Sequence, residues 1–247
     1  MSLSNDTRDK ISPAPLLRDP MNILALAIIA LQILIAIIAF PFLPAVVPTH
    51  WNAAGQVNGH ASKWVNTLLF PLLSVGIYLL IRFVAAASPR LGSRSSSAAN
   101  TQVRTVVLVA VLLFELIVQL CVTAISLGMR LDITFTLNLA MAVLFIVIGN
   151  FMGKMRRNFW MGIRTPWTLT SEVVWERTHR LGGWLFVAVG LIGIPCSFVP
   201  ALRIWAIVAL TVLVAIVLCV YSYVCYCEHT RGDDEPVSPP FNGAGEE

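Results

Sequence analysis

Residues 21–43, MNILALAIIALQILIAIIAFPFL, form an apolar run without a single charged side chain. About 20 such residues in a helix span the roughly 30 Å hydrocarbon core of a bilayer. Five further runs of this kind follow along the chain, at residues 64–87, 105–127, 133–152, 182–199 and 204–226. The sequence therefore predicts an all-α polytopic membrane protein, a bundle of six transmembrane helices.

The composition of the 247-residue chain agrees with this interpretation. Hydrophobic residues make up 57% of the sequence and charged residues only 12%, against about 25% charged residues in soluble domains. Disordered chains are excluded as well, because they are poor in apolar residues. Only two charged residues, Arg82 and Glu115, lie inside the six runs.

Lysine and arginine are distributed unevenly between the two ends of the predicted bundle. With the N-terminus inside, 14 of the 17 basic residues fall on the cytoplasmic side, as the positive-inside rule requires. We therefore predict that both termini are cytoplasmic. The net charge of +4 is explained by topology and by anionic lipid headgroups, so we predict no direct binding of nucleic acid.

The loop at residues 44–63, predicted to lie outside, is rich in turn-forming residues, and Asn58-Gly59 is a typical tight-turn pair. One interpretation is structural, with Trp51 at the headgroup level and His50 and Asn52 hydrogen-bonding a compact turn. The alternative is a binding face for an extracellular ligand. The candidate ligand-facing residues are His50, Trp51, Asn52, Gly55, His60 and Lys63.

The loop at residues 153–181, predicted to lie inside, begins with a basic cluster and ends in a helical pattern. Thr170 is the predicted N-cap of an interfacial helix that runs into the fifth span, with Trp175 at the headgroups and Glu176 paired with Arg180. One interpretation is that the loop is fastened to headgroups and to the bundle. The alternative is that Arg164 docks the acidic surface of a cytoplasmic partner or a phosphate group.

Glu115 lies near the middle of the third span, where an ionised carboxylate is costly and needs a partner. Counting from the span ends predicts a polar layer at this depth, with Ser74 and Thr211 close to its level. The layer is either interhelical hydrogen bonding or a proton- or ion-responsive site for transport. Its predicted members are Gln32, Glu115, Gln119 and Asn138.

Catalytic and metal-binding patterns are weak. We find no Ser-His-Asp, HExxH or paired-carboxylate arrangement, and the Cys225-x-Cys227-x-His229 spacing is not a usual zinc pattern. The sequence therefore predicts no enzyme, no cofactor and no metal site.

Two stretches resemble a known family. Residues 47–64, VPTHWNAAGQVNGHASKW, are similar to the membrane domain of unknown function that commonly precedes the SdpI module, in which His50, Asn52, Gly55 and Lys63 recur at this spacing. Residues 149–183, GNFMGKMRRNFWMGIRTPWTLTSEVVWERTHRLGG, resemble the SdpI signature. The matching candidate residues of this inside loop are Asn158, Gly162, Arg164, Thr165, Pro166, Trp167, Trp175, His179 and Arg180.

The resemblance implies a bacterial multi-pass protein of the cytoplasmic membrane. It also implies immunity to a secreted peptide toxin outside and binding of a small helix-turn-helix repressor inside. With it, the chain divides into a cytoplasmic segment (1–20), a two-helix membrane domain (21–103), an SdpI-like four-helix domain (104–227) and a disordered cytoplasmic tail (228–247). A small transporter or channel built around Glu115 is the alternative function.

Overall fold

The computed structural model describes residues 19–87 and 98–233. The predicted N-terminal segment, up to residue 18, and the predicted tail from residue 234 lie outside these ranges. In chain order the elements are α1 (Pro20–Ala39), β1 (Val46–Trp51), β2 (Val57–Ser62), α2 (Lys63–Ala87), α3 (Ala98–Ser126), α4 (Ile133–Met152), α5 (Pro166–Thr170), α6 (Glu172–Cys196) and α7 (Arg203–Asp233).

The predicted helical bundle is confirmed, because six of the described helices are long and apolar enough to cross a membrane. α4 has the predicted bounds, and α6 includes the helix predicted before the fifth apolar run, whereas α3 begins earlier than its apolar run. α7 continues through Asp233, so residues 228–233 are helical and not disordered as predicted. The first proline after Pro200 is Pro236, so no proline interrupts this stretch.

The helices pack as two groups of three. α1, α2 and α3 contact one another, α4 and α7 both pack against α6, and α3 joins the groups by packing against α4. Ala25 and Ile28 of α1 meet Leu112 of α3 in the first core, and Val189 of α6 meets Leu218 of α7 in the second. The predicted domain boundary at residue 104 falls inside α3, which packs with the N-terminal helices.

α4 and α6 approach closely along a seam of glycines. A Cβ atom on Gly149 would lie 2.7 Å from the carbonyl oxygen of Gly183, and one on Gly183 would lie 2.8 Å from that of Gly149. Small residues allow this approach between membrane helices, where van der Waals packing drives association.

An ion pair joins α4 to α7 at the end of the bundle that carries the β-hairpin. Asp132 is the N-cap of α4, and Arg203 at the start of α7 donates to its carboxylate. Partial burial acts to raise the pKa of Asp132. Hydrogen bonds from Thr134, from the Phe135 N–H and from Arg203 outweigh that effect and hold this pKa below its usual range. Asp132 therefore stays ionised and clamps the two helix ends together.

Candidate functional site

The predicted outside loop folds as an antiparallel hairpin of β1 and β2. Asn52 builds its turn, because its Oδ1 accepts hydrogen bonds from the backbone N–H groups of Ala54 at 3.0 Å and Gln56 at 2.9 Å. Gly55 has φ +79°, a left-handed conformation that favours glycine. The prediction that Asn58-Gly59 forms the turn is wrong, because the Asn52 side chain sets the turn earlier and leaves both residues in β2.

Other hairpin residues divide into supporting and exposed ones. Lys63 supports the base, since its Nζ donates to the carbonyl oxygen of Phe40 at 3.3 Å and lies over the Phe40 ring. Trp51 is half-buried and packs on the bundle beside Phe70. His50 and His60 are exposed, and His50 Nδ1 donates to Asn58 Oδ1 at 2.5 Å. Of the predicted ligand-facing residues, the two histidines are therefore the accessible ones.

The predicted inside loop is held by a short helix, α5. Thr165 is its N-cap and forms a capping box with Thr168, and Pro166 occupies the first turn. Thr168 is fully buried, and its hydroxyl donates to the carbonyl oxygen of Ile163 at 2.8 Å. Trp167 Nε1 donates to Ser222 Oγ of α7 at 2.6 Å. These signature residues therefore fix the loop to itself and to the last helix.

Trp175 and His179 form the buried centre of this loop. Their rings stack with centroids 3.9 Å apart, and both side chains are fully buried. His179 Nδ1 donates to the carbonyl oxygen of Trp175 at 2.9 Å, while His179 Nε2 accepts from the Ile163 N–H at 3.0 Å. Gly162, at φ +100°, lies against the His179 ring, so a side chain at this position would collide with it.

Three predictions for this segment are corrected. Trp175 does not lie at the headgroups, because its Nε1 reaches inward to donate to the carbonyl oxygen of Met155 at 2.9 Å. The N-cap of α6 is Ser171, since residues up to Thr170 are taken up by α5. Glu176 pairs with Arg156 at 2.6 Å and not with Arg180, because the basic cluster of the loop folds back over α6.

The remaining signature residues are one buried amide and two exposed arginines. Asn158 Oδ1 accepts from the N–H groups of Trp160 and Met161, both at 2.8 Å. Arg164 is exposed and donates to the carbonyl oxygen of Phe159. Arg180 is exposed, and within the described residues it makes neither a hydrogen bond nor an ion pair. The arginines are therefore the charged signature side chains accessible to a partner.

Three of the four residues of the predicted polar layer make hydrogen bonds within the first helix group. Ser74 of α2 donates to Glu115 Oε2 at 2.5 Å. Gln119 Nε2 donates to the Gln32 carbonyl oxygen at 2.9 Å, and Gln32 Nε2 donates to the Leu112 carbonyl oxygen at 3.3 Å. The Oε1 atoms of Gln32 and Gln119 are buried and accept no hydrogen bond from the described residues. The layer thus contains two buried amide oxygens that have no donor among the described residues.

Asn138 lies in the other helix group and not in the predicted layer. Its Nδ2 donates to the carbonyl oxygen of Gly193 at 2.9 Å and to Ser197 Oγ at 2.8 Å. Equal depth in the membrane was the basis of the prediction, but Asn138 is on α4, which packs against α6. Thr211, also near the predicted level, bonds within its own helix to Ile207.

Two partners were not among the candidate residues. Ser74 was predicted to lie close to the depth of the polar layer, and this similar depth to Glu115 was the sequence signal that could have identified it as the partner. Ser222, which receives Trp167, carried no signal in the sequence. Among the described residues no group of three or more His, Cys, Asp or Glu side chains is placed to hold a metal ion.

Six apolar helices, a hairpin at one end and a tightly hydrogen-bonded loop at the other define a multi-pass membrane protein. Residues 154–222 match the model of the SdpI/YfhL protein family, and residues 27–75 match a domain of unknown function, DUF1648. The predicted resemblance is thereby confirmed, since a region that matches the SdpI/YfhL model is preceded by one that matches the DUF1648 model.

A curated relative supports the same assignment. The chain is 28% identical over 211 residues to the "Immunity protein SdpI" of Bacillus subtilis (strain 168), a similarity that covers 85% of this chain and 98% of the relative. No solved structure gives a significant match to the chain.

Proposed function

We propose that this protein is a non-enzymatic immunity protein of the bacterial cytoplasmic membrane, which protects its cell against a secreted antimicrobial peptide. The observation that carries this proposal is the similarity to a named immunity protein along 85% of the chain. The lysine and arginine distribution supports an orientation with both termini in the cytoplasm, which leaves the β1–β2 hairpin outside.

In this proposal the hairpin meets the toxin through its exposed histidines. Asn52 and Lys63 are occupied in holding the turn and the base, whereas His50 and His60 are exposed on the hairpin. The experiment is a challenge of cells that express the His50→Ala/His60→Ala double variant with a toxin-producing strain. We expect lost protection with a normal amount of protein in the membrane.

A matched control is Arg130→Gln, which alters an exposed residue of the loop between α3 and α4 at the same end of the bundle. It should leave protection intact. Full protection by the double-histidine variant would contradict the proposed role of the hairpin. Loss of protection in Asn52→Ala alone would indicate damage to the turn and not loss of a toxin contact.

We further propose that the opposite loop binds a small cytoplasmic helix-turn-helix repressor. The exposed Arg164 supports this proposal, because its signature neighbours Thr165 and Trp167 are engaged in folding the loop. The test is co-purification of a repressor encoded beside this gene with wild-type protein and with Arg164→Gln. Equal recovery with both proteins would contradict a role of Arg164 in binding.

The polar layer supports a second candidate function, a small transporter or channel. The buried Glu115 carboxyl group and the amide oxygens of Gln32 and Gln119, unpaired within the described part of the chain, form an environment that a proton or a cation would complete. The test is flux through vesicles containing reconstituted wild-type or Glu115→Gln protein. A flux that falls in the variant supports transport, and equal or absent flux in both refutes it.

A further inference from the structure

A basic cavity lies beside the signature loop, between the start of α3, the loop after α4 and the first turns of α6. Its volume is about 550 Å³. Four basic residues and one acidic residue line it, which are Lys154, Arg156, Arg177, Arg180 and Glu176. The lining therefore carries a net charge of +3 when all five groups are ionised.

Most of this charge is not neutralised by side chains of the described residues. Glu176 is engaged by Arg156 at 2.6 Å. Arg177 has an acidic neighbour, Glu228, only at 3.9 Å and between exposed side chains, a kind of pair that contributes little. Arg180 has no hydrogen bond or ion pair within the described residues. Like charges around one cavity repel, and an anion between them would relieve that repulsion.

A second, smaller cavity continues from the first along the outer surface of the bundle. It has a volume of about 200 Å³ and shares Gly153 and Arg180 with the basic cavity. Its other walls run along the α4–α6 seam and are Gly149, Asn150, Gly183, Trp184 and Val187. Trp184 is 73% exposed, which is typical of tryptophan at the boundary between headgroups and acyl chains.

We propose that the two cavities together bind an anionic glycerophospholipid. Its phosphate lies among Lys154, Arg177 and Arg180, since lysine and arginine are the usual phosphate donors, and one acyl chain follows the α4–α6 seam past Trp184. Basic pockets at the ends of membrane helices bind acidic headgroups by the same chemistry.

The first experiment measures the thermal midpoint of the full-length protein in a neutral detergent as lipid is added. Dioleoyl phosphatidylglycerol should raise the midpoint in a saturable manner, because a ligand that binds only the folded state stabilises it. Dioleoyl phosphatidylcholine, with the same chains, should not. An equal rise with inorganic phosphate alone would overturn the lipid assignment and reduce the site to an anion site.

The second experiment compares matched variants by native mass spectrometry of retained phosphatidylglycerol. Arg180→Gln should weaken binding about tenfold, the typical effect of losing one hydrogen bond to a charged group. Arg130→Gln removes the same charge from the opposite end of the bundle and should have no effect. Equal weakening by both variants would show general attraction to the protein surface and overturn the site.

A third pair tests the acyl groove. Trp184→Ala should weaken phosphatidylglycerol binding, whereas Trp205→Ala should not, although Trp205 is 65% exposed at the other end of the bundle. If neither tryptophan matters while Arg180 does, a lipid chain does not occupy the groove and the proposal is refuted in that form.

Discussion

Replacing Trp175 with alanine should destabilise the protein far more than the same replacement at Trp184 on the same helix. Trp175 is 0% exposed and Trp184 is 73% exposed. Truncating a fully buried tryptophan costs about 3–5 kcal/mol. The carbonyl oxygen of Met155, which accepts from Trp175 Nε1, would also lose its partner inside the loop, a further cost of about 1–3 kcal/mol.

These free energies translate into a measurable difference in thermal midpoint. For a chain of this size a change of 1 kcal/mol shifts the midpoint by roughly 2–4 °C. We therefore expect Trp175→Ala to lower it by about 10 °C or more, and Trp184→Ala to change it by about 2 °C at most. Trp175→Phe keeps an aromatic ring against His179 and loses the indole donor, so its midpoint should fall between the two.

A thiol-reactive fluorescent dye is a suitable assay in detergent. Cys121 and Cys225 are 4% and 3% exposed, so the dye reacts with them when the helices separate, whereas the exposed Cys219 contributes to the signal before unfolding. The three variants and the wild type keep the same cysteines, which makes the curves comparable. Equal midpoints for Trp175→Ala and Trp184→Ala would refute the buried position of Trp175 and restore the headgroup position predicted from the sequence.

Two further predictions concern helix contacts. Gly183→Ala should lower the thermal midpoint by several degrees, because its Cβ would lie 2.8 Å from the Gly149 carbonyl oxygen and overpacking costs about 1–3 kcal/mol. Gly76→Ala, where no atom lies within 4 Å of the new Cβ, should leave the midpoint unchanged. Equal effects of the two variants would argue against the close seam. The lowered pKa of Asp132 means that its carboxylate stabilises the fold above the unfolded pKa of about 3.9, and that this contribution is lost as the pH falls through the folded pKa. As the pH is lowered from 5 to 3, the thermal midpoint of the wild type should therefore fall more steeply than that of Asp132→Asn, which retains an N-cap. Parallel curves of midpoint against pH for the two proteins would show that the ion pair with Arg203 contributes nothing.

The sequence predicted the helices well because their signal is local. A run of 20 apolar residues reports its own environment, whichever helices surround it, and α4 begins and ends at the predicted residues. The bounds of α3 and α7 were less accurate, since both helices extend beyond the apolar runs into polar sequence. The apolar run ends at the membrane surface, whereas the helical backbone hydrogen bonds continue beyond it.

The partners of polar side chains were harder to predict, because they depend on which helices are neighbours. Gln119 of α3 bonds to the backbone of Gln32 in α1, since these helices pack in one group, whereas Glu115 bonds to Ser74 of α2. Asn138 was assigned to them by depth alone, yet α4 turns it toward Gly193 on α6. Depth in the membrane can be counted along a sequence, whereas the choice between helices at equal depth is made by packing.

The placement of the signature residues changes how the motif is interpreted. A run rich in Thr, Pro, Trp and His around residues 158–180 invites a search for a binding site. Yet Thr168, Trp175 and His179 are buried and hydrogen-bonded within the loop. A motif of this kind specifies a rigid loop, because each of those side chains satisfies a backbone group that would otherwise be buried without a partner.

Binding is then left to the charged residues that this rigid loop displays. Arg164 and Arg180 are exposed on either side of the buried centre, and the hydrogen bonds of Trp175 and His179 hold the segments that carry them. The same division holds in the hairpin, where Asn52 builds the turn and the two histidines are exposed. At both ends of the bundle, therefore, a variant of a buried motif residue reports on folding, and only a variant of an exposed neighbour reports on recognition.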